Sequence, residues 1–146
     1  MNDPAALTLA MRRCALQALY QLDAAQSEDA ALVGTLSEED GSARPDDVER
    51  GMRLAREAWE SRHDADREIS AFARDWPPHR QPLVDRNLLR MGWHEIRRTD
   101  APPRKVVSDA VELAKEFGTA ESGAFVNGVL DKVMNAPGAA PAAEAR

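Results

Sequence analysis

RKVVSDAVELAKEFGTAESGAFVNGVLDKVM, residues 104–134, reads as two amphipathic helices joined by a tight turn at Phe117-Gly118-Thr119. In its first half Val106, Ala110, Leu113, Ala114 and Phe117 fall at three- and four-residue spacing, which places them on one helical face. Gly118 follows at once, where a left-handed residue would end that helix. Thr119 or Ser122 can cap the second helix, whose apolar face is Phe125, Val126, Val129, Leu130 and Val133. Such a hairpin closes a core once a further helix covers it.

Moving back along the chain, Leu83–Arg98 supplies that helix, with Val84, Leu88, Met91 and Ile96 inward and Gly92 allowing close contact. Asp100-Ala101-Pro102-Pro103 separates it from the hairpin. The Trp76–Pro82 stretch cannot continue a helix, because each proline lacks a donor and restricts the residue before it, and it marks the boundary between the two helical units. Before it, a helix over Asp64–Arg74 buries Ile69, Phe72 and Trp76, and another starting at Pro45-Asp46-Asp47 carries Val48, Met52, Ala55 and Trp59 on one face. Residues 26–46 read as a long polar connection with a short helical turn near 30–36, and residues 5–25 as a first helix with Leu7, Met11, Cys14, Ala18 and Leu22 in a stripe. The tail APGAAPAAEAR, 136–146, is low-complexity and is expected to be disordered. The expectation is an all-α protein: one domain over 1–146, built from two packed three-helix bundles, 5–76 and 82–134.

Composition narrows the function classes. Two isoleucines and three phenylalanines would supply a β-rich core poorly. A lone cysteine, Cys14, excludes an internal disulfide framework and suits a reducing cytoplasm. No apolar run approaches the roughly 20 residues of a membrane span, and no secretion signal opens the chain. The net charge of −6 is unevenly placed. Between Gln26 and Glu49 eight acids face Arg44 alone, a local −7, so the rest of the chain is close to neutral at +1. A local basic surface is therefore compatible with an acidic total.

Catalytic signatures are lacking. His63, His79 and His94 lie in separate segments remote from Cys14, with no metal-ligand spacing, and no glycine-rich phosphate loop or nucleophile elbow occurs. Glu112 and Glu116, with Lys115 between them, read as a solvated face rather than an acid–base pair. Neither a metal, a cofactor nor an enzymatic activity is expected. Asn127 and Gly128 are costly inside a helix, Gly by about 1 kcal/mol relative to Ala, and suggest close helix contact at Gly128 and a loop hydrogen bond from Asn127.

The wording AVELAKEFGTAESGAFVNGVLDKV, preceded by RNLLRMGWHEI at 86–96 and CALQALYQLD at 14–23, resembles the NusB family of bacterial transcription antitermination factors. FVNGVLDK is the most specific phrase, since a generic core needs apolar spacing and no Asn-Gly pair. The resemblance implies a NusB-like fold. It also implies an arginine-bearing face on the first helix that contacts RNA phosphates, here reduced to Arg12 and Arg13 after Thr8, Leu9 and Ala10, with Gln17 in the same set. It tips the Glu121-Ser122-Gly123-Ala124-Phe125 turn towards RNA: Glu121, Ser122, Gly123 and Phe125 sit where a helix start favours phosphate and an aromatic can stack on a base, although spacing alone makes Phe125 core. Tyr20 and Asp85 match positions that meet the protein partner in the family; alone they read as an edge-of-core tyrosine and a dipole-favoured acid.

The function implied is antitermination. With the ribosomal protein that doubles as NusE, the chain would bind the single-stranded box A element of nascent ribosomal RNA and help the RNA polymerase elongation complex read through terminators. Two rivals stand beside it. The same fold forms the RNA-binding domain of a ribosomal RNA cytosine methyltransferase, which requires a second, cofactor-binding domain that this chain is expected to lack. A helical scaffold that binds only proteins is favoured by the thinned arginine face. A homodimer through the first helix would hide the arginines, and oligomeric state stays open.

Overall fold

The structure, a computed structural model, describes residues 6–26 and 44–136. Among them the chain forms α1 (Leu9–Ala25), α2 (Pro45–Glu60), α3 (Arg62–Phe72), a 3₁₀ turn (Pro78–Arg80), α4 (Leu83–Arg98), α5 (Pro103–Phe117) and α6 (Ser122–Asn135), with no strand. The connection expected after Gln26, with its helical turn near 30–36, and the tail from 137 lie outside the described residues. No described helix is long and apolar enough to cross a membrane.

Local chemistry sets the boundaries. α1 starts at Leu9 rather than at residue 5, because Thr8 is extended and its hydroxyl accepts the Met11 N–H at 3.2 Å. It ends at Gln26, whose left-handed backbone (φ 52°) directs its N–H back to the Asp23 carbonyl. α2 opens on Pro45 with Asp46 and Asp47 in its first turn, as the sequence pattern requires. α2 and α3 are separated by one residue, Ser61, whose hydroxyl bonds the Glu57 carbonyl and turns the chain.

Among the described residues, three helices precede the proline stretch and three follow it. α1 lies along α2, α5 along α6, and α4 packs against all five other helices. The α1–α2 crossing is tight because of Gly51: a Cβ there would stand 2.6 Å from the Met11 carbonyl oxygen and 2.7 Å from Cys14 Cβ. Gly92 does the same under Leu130, as its place in the sequence suggests. The core joins Leu16, Leu19, Leu54, Ile69, Leu88, Leu89, Leu113 and Leu130 from all six helices.

A helix surrounded on every side must be apolar all round or pair its polar groups. α4 pairs them. Asp23 accepts from Arg86 Nε at 2.9 Å and Asn87 Nδ2 at 3.1 Å, Arg90 forms a two-pronged pair with Asp66, and Glu68 takes the Trp93 indole N–H and the Arg97 guanidinium. Arg97 holds the Glu68 carboxyl below the usual carboxylate range, although partial burial pushes the other way.

Four sequence expectations are corrected. Trp76 is 42% exposed, with the Arg80 guanidinium over its ring rather than core around it. Phe117 is 39% exposed, lining a surface groove with Tyr20 and Val84 rather than the closed core. Gly118 is extended (φ −99°, ψ −161°), not left-handed; glycine is needed there because a Cβ would lie 2.5 Å from Ser122 Oγ. Asn127 and Gly128 face solvent, and a Cβ on Gly128 would meet nothing within 4 Å, so no helix approaches there.

Candidate functional site

α1 presents successive residues about 100° apart, and that rotation separates its two arginines. Arg12 points inward and is 3% exposed. Its Nε and Nη2 donate to the two carboxylate oxygens of Glu95 at 2.9 and 2.8 Å, and its Nη1 donates to Asp109 Oδ2 at 2.8 Å and the Leu7 carbonyl at 3.0 Å. Burial works against its charge, but Glu95 and Asp109 outweigh it and hold the guanidinium protonated more firmly than in water. Lys105 closes the network on Asp109 Oδ1 at 2.8 Å. The expectation that Arg12 contacts phosphate is therefore corrected: its donors are engaged with α4, α5 and its own chain, and a surface ligand cannot reach them.

Arg13, Gln17 and Tyr20 fall at i, i+4 and i+7 and share the outer face. Arg13 is part-exposed and its Nη2 pairs with Glu116 Oε1 of α5 at 3.0 Å, so Glu116 is a paired acid on the solvated face. Gln17 and Tyr20, with Leu16, Gln21, Val84 and Phe117, line a groove of about 340 Å³. Tyr20 and Phe117 are 38% and 39% exposed, two large aromatics presented to solvent side by side in one groove. Two of the sequence-derived residues, Gln17 and Tyr20, are thus brought together in the groove, with Arg13 one turn before Gln17 on the same helical face. Phe117 and Val84 are additions that the periodic pattern had assigned to the core.

The α5–α6 turn is differently built. Ser122 is fully buried: its hydroxyl donates to Asp85 Oδ1 at 2.7 Å and accepts the Thr119 N–H at 2.9 Å. The Thr119 hydroxyl in turn accepts the Glu121 N–H at 3.3 Å, so both candidate caps are used, neither as a simple N-cap. Asp85, in the first turn of α4, is 4% exposed; desolvation pushes its carboxyl above the usual range, partly offset by the Ser122 and backbone hydrogen bonds. Gly123 is buried beneath the Lys115 stem. The expectations of direct contact for Asp85, Ser122 and Gly123 are corrected on the same ground: buried groups present no surface to a ligand. Glu121 is exposed and Phe125 half-buried against the core. Because Val84 lines the groove and Asp85 anchors the turn, the groove and the turn share the first turn of α4.

The described residues hold no cluster of three or more His, Cys, Asp or Glu side chains placed to ligate a metal. What the geometry offers is recognition: an aromatic groove, a paired arginine on the same face of α1 and a turn locked to the body.

Comparison with known proteins gives a consistent match. The model of the NusB family matches residues 9–135. A transcription antitermination protein NusB from Symbiobacterium thermophilum is 43% identical over 143 residues, covering 92% of this chain and 94% of the relative. Among solved structures, T. maritima NusB superposes with a TM-score of 0.73 at 32% identity, covering 92% of both chains. A structure of antitermination factors NusB and NusE in complex with dsRNA superposes with a TM-score of 0.75 at 27% identity, covering 86% of this chain and 94% of the other.

Proposed function

The chain belongs to the NusB family, and on that premise we propose that it is a transcription antitermination factor, assembling with NusE on the box A RNA of nascent ribosomal RNA so that RNA polymerase reads through terminators. The family is one of antitermination proteins rather than enzymes, and the proposed mechanism is assembly in the cytoplasm. The observation that carries the reading is the Arg13–Gln17–Tyr20 stripe on the outer face of α1, whose Gln17 and Tyr20 meet Phe117 and Val84 in one groove.

In this reading the aromatic groove takes the protein partner, since exposed Tyr and Phe side chains in a concave patch are the usual anchors of an interface. Arg13, Gln17, Glu121 and the half-buried Phe125 form the RNA-facing set, in which charge positions the backbone and the aromatic contacts a base. Asp85 and Ser122 act at one remove by fixing the turn that carries Glu121. With Arg12 engaged internally and Arg13 shared with Glu116, RNA affinity of the free chain is low, and each partner raises the affinity for the other.

The same observation favours a second reading. A chain whose first-helix cations are both in ion pairs can be a helical scaffold that binds proteins alone. Anisotropy of labelled box A RNA, with and without NusE and at two salt concentrations, separates the two. Sequence-dependent, salt-sensitive binding that tightens with NusE supports antitermination; no preference over scrambled RNA under any condition leaves the scaffold.

A further inference from the structure

Among the described residues three large apolar side chains are exposed, Tyr20, Trp76 and Phe117, and the aromatic groove takes two of them. Trp76 is the third, at 42% exposure, in the loop between α3 and α4. A single exposed leucine means little, but a tryptophan left in solvent gives up the burial of a large ring. The loop also holds it still. The Trp76 backbone N–H donates to the Ala73 carbonyl at 3.1 Å, and its carbonyl accepts Gln81 Nε2 at 2.8 Å. Arg86 Nη1 donates to the Pro78 carbonyl at 3.2 Å, and Pro77 and Pro78 fix the backbone between. A planar group can stack on a ring presented this way at little cost in ordering.

The cations around Trp76 lack carboxylates. The Arg80 guanidinium lies over the ring, 5.3 Å from its centroid, and makes no ion pair among the described residues. Arg74, exposed two residues before Trp76, makes none either. Lys132 of α6 reaches the start of the loop, its Nζ 3.5 Å from the Phe72 carbonyl. Against these three cations stand the neighbouring acids Asp75 and Asp131, which leaves +1 on a chain whose total is −6. The loop also connects to the turn assigned above to RNA. Glu121, Phe125, Gly128 and Lys132 fall at four-, three- and four-residue steps, one stripe along α6. From Phe125 to Lys132 is about 10 Å of helix axis. Between them a Cβ on Gly128 would meet nothing within 4 Å, so a strand on Phe125 has an open path to Lys132 and the loop. Stacking uses the face of a base and not its hydrogen-bonding edge, so such a contact accepts any base.

We propose that Trp76 and Arg80 form a stacking platform for an unpaired base flanking box A, with Arg74 and Lys132 beside it on the phosphates. This rests on the RNA-binding reading above and adds a contact outside the α1 stripe and the α5–α6 turn. The test is anisotropy of box A RNA, alone and extended by about eight unstructured nucleotides on each side, using the full chain with NusE. Circular dichroism confirms that each variant folds. Wild type should bind the extended RNA about tenfold more tightly than box A alone. Trp76→Ala should lose that gain while keeping its affinity for box A, and Trp76→Phe should keep most of the gain. Arg74→Gln should lower the salt slope for the extended RNA by about 0.7, one phosphate contact on a single strand. Trp59 and Trp93 are buried, so the acrylamide quenching that wild type shows and Trp76→Phe lacks belongs to Trp76, and the extended RNA should shield it. An extension that adds nothing in wild type overturns the platform, as does a gain that survives Trp76→Ala. A loss of NusE affinity in Trp76→Ala with the RNA gain intact also overturns it and marks a protein contact. Failure of wild type to bind box A at all is a different result: it removes the RNA reading itself, and the platform with it.

Discussion

Arg12 and Arg13 are adjacent in sequence, yet one ties the interior together and the other lies on the outer face of α1. Arg12 makes four hydrogen bonds to Glu95, Asp109 and Leu7 at 3% exposure, whereas Arg13 shares a carboxylate with solvent around it. The first holds three helices in register; the second has little to do with stability and is available to exchange its partner. A like pair of roles divides Ser122 from Glu121 across the α5–α6 turn. The proposed functional face is thus a thin outer layer on residues whose neighbours are structural.

The largest effect follows from breaking the inner member. Arg12→Ala leaves Glu95 and Asp109 buried without their partner and should cost about 3–5 kcal/mol of stability, read by urea or thermal unfolding. A stable Arg12→Ala protein with weakened RNA binding would reverse the assignment of the two arginines. Next comes the outer groove: Tyr20→Ala or Phe117→Ala should leave the unfolding midpoint nearly unchanged but weaken NusE binding by about 2 kcal/mol, roughly thirtyfold, in calorimetry. Loss of stability in place of affinity would make those aromatics edge-of-core residues.

The glycines sharpen the same contrast with opposite signs. Gly51→Ala forces a methyl into the Met11 carbonyl and Cys14 and should destabilise by about 1–3 kcal/mol. Gly128→Ala meets open space on a helix and should stabilise the free protein by about 1 kcal/mol. If Gly128→Ala nevertheless weakens assembly, the exposed Asn127-Gly128 pair belongs to the interacting surface.

Asp85 links the regions through pH. Its folded-state pKa is raised, chiefly by desolvation, so the unfolded chain binds fewer protons and the acid disfavours the native state once ionised. Its contribution is present below the ordinary carboxylate value and lost as pH rises through the raised folded value. Asp85→Asn, which still offers Ser122 an acceptor, should flatten that part of the stability profile in the mildly acidic range. Glu68 has the opposite sign: its pKa is lowered by Arg97, so its contribution is lost as pH falls. An unchanged profile for Asp85→Asn would mean that Asp85 is not the group responsible.

Periodicity made the helices legible, because spacing of Val106, Leu113, Val126 and Leu130 depends only on which face is buried. The site was half legible for the same reason: Arg13, Gln17 and Tyr20 share a face by arithmetic alone. Partners were not legible. Arg12 finds Asp109 across 97 residues and Glu95 across 83, and no local pattern announces a charge that will be neutralised at such a distance. Phe117 misled in the other direction, since a stripe records a face but not whether the neighbours close over it or leave a groove. Asp85 and Ser122 were found as a pair of positions with the wrong exposure; their mutual hydrogen bond explains both.

The smallest effect tests the outer member directly. The Arg13–Glu116 pair is partly exposed, and removing it with Arg13→Ala should change stability by only about 0.2–1 kcal/mol, because solvent screens the pair in the folded state. In the NusE complex the same substitution should lower the salt slope of RNA binding by about 0.7, one phosphate contact on a single strand. Glu116→Gln supplies the converse, since it frees Arg13 from its carboxylate without removing the cation, and should raise RNA affinity modestly at low salt. If both variants leave the salt slope untouched, Arg13 is an ordinary surface ion pair and no part of the RNA-facing set. If Arg13→Ala lowers the slope while Arg12→Ala acts only through stability, the division between adjacent arginines is a division between fold and function.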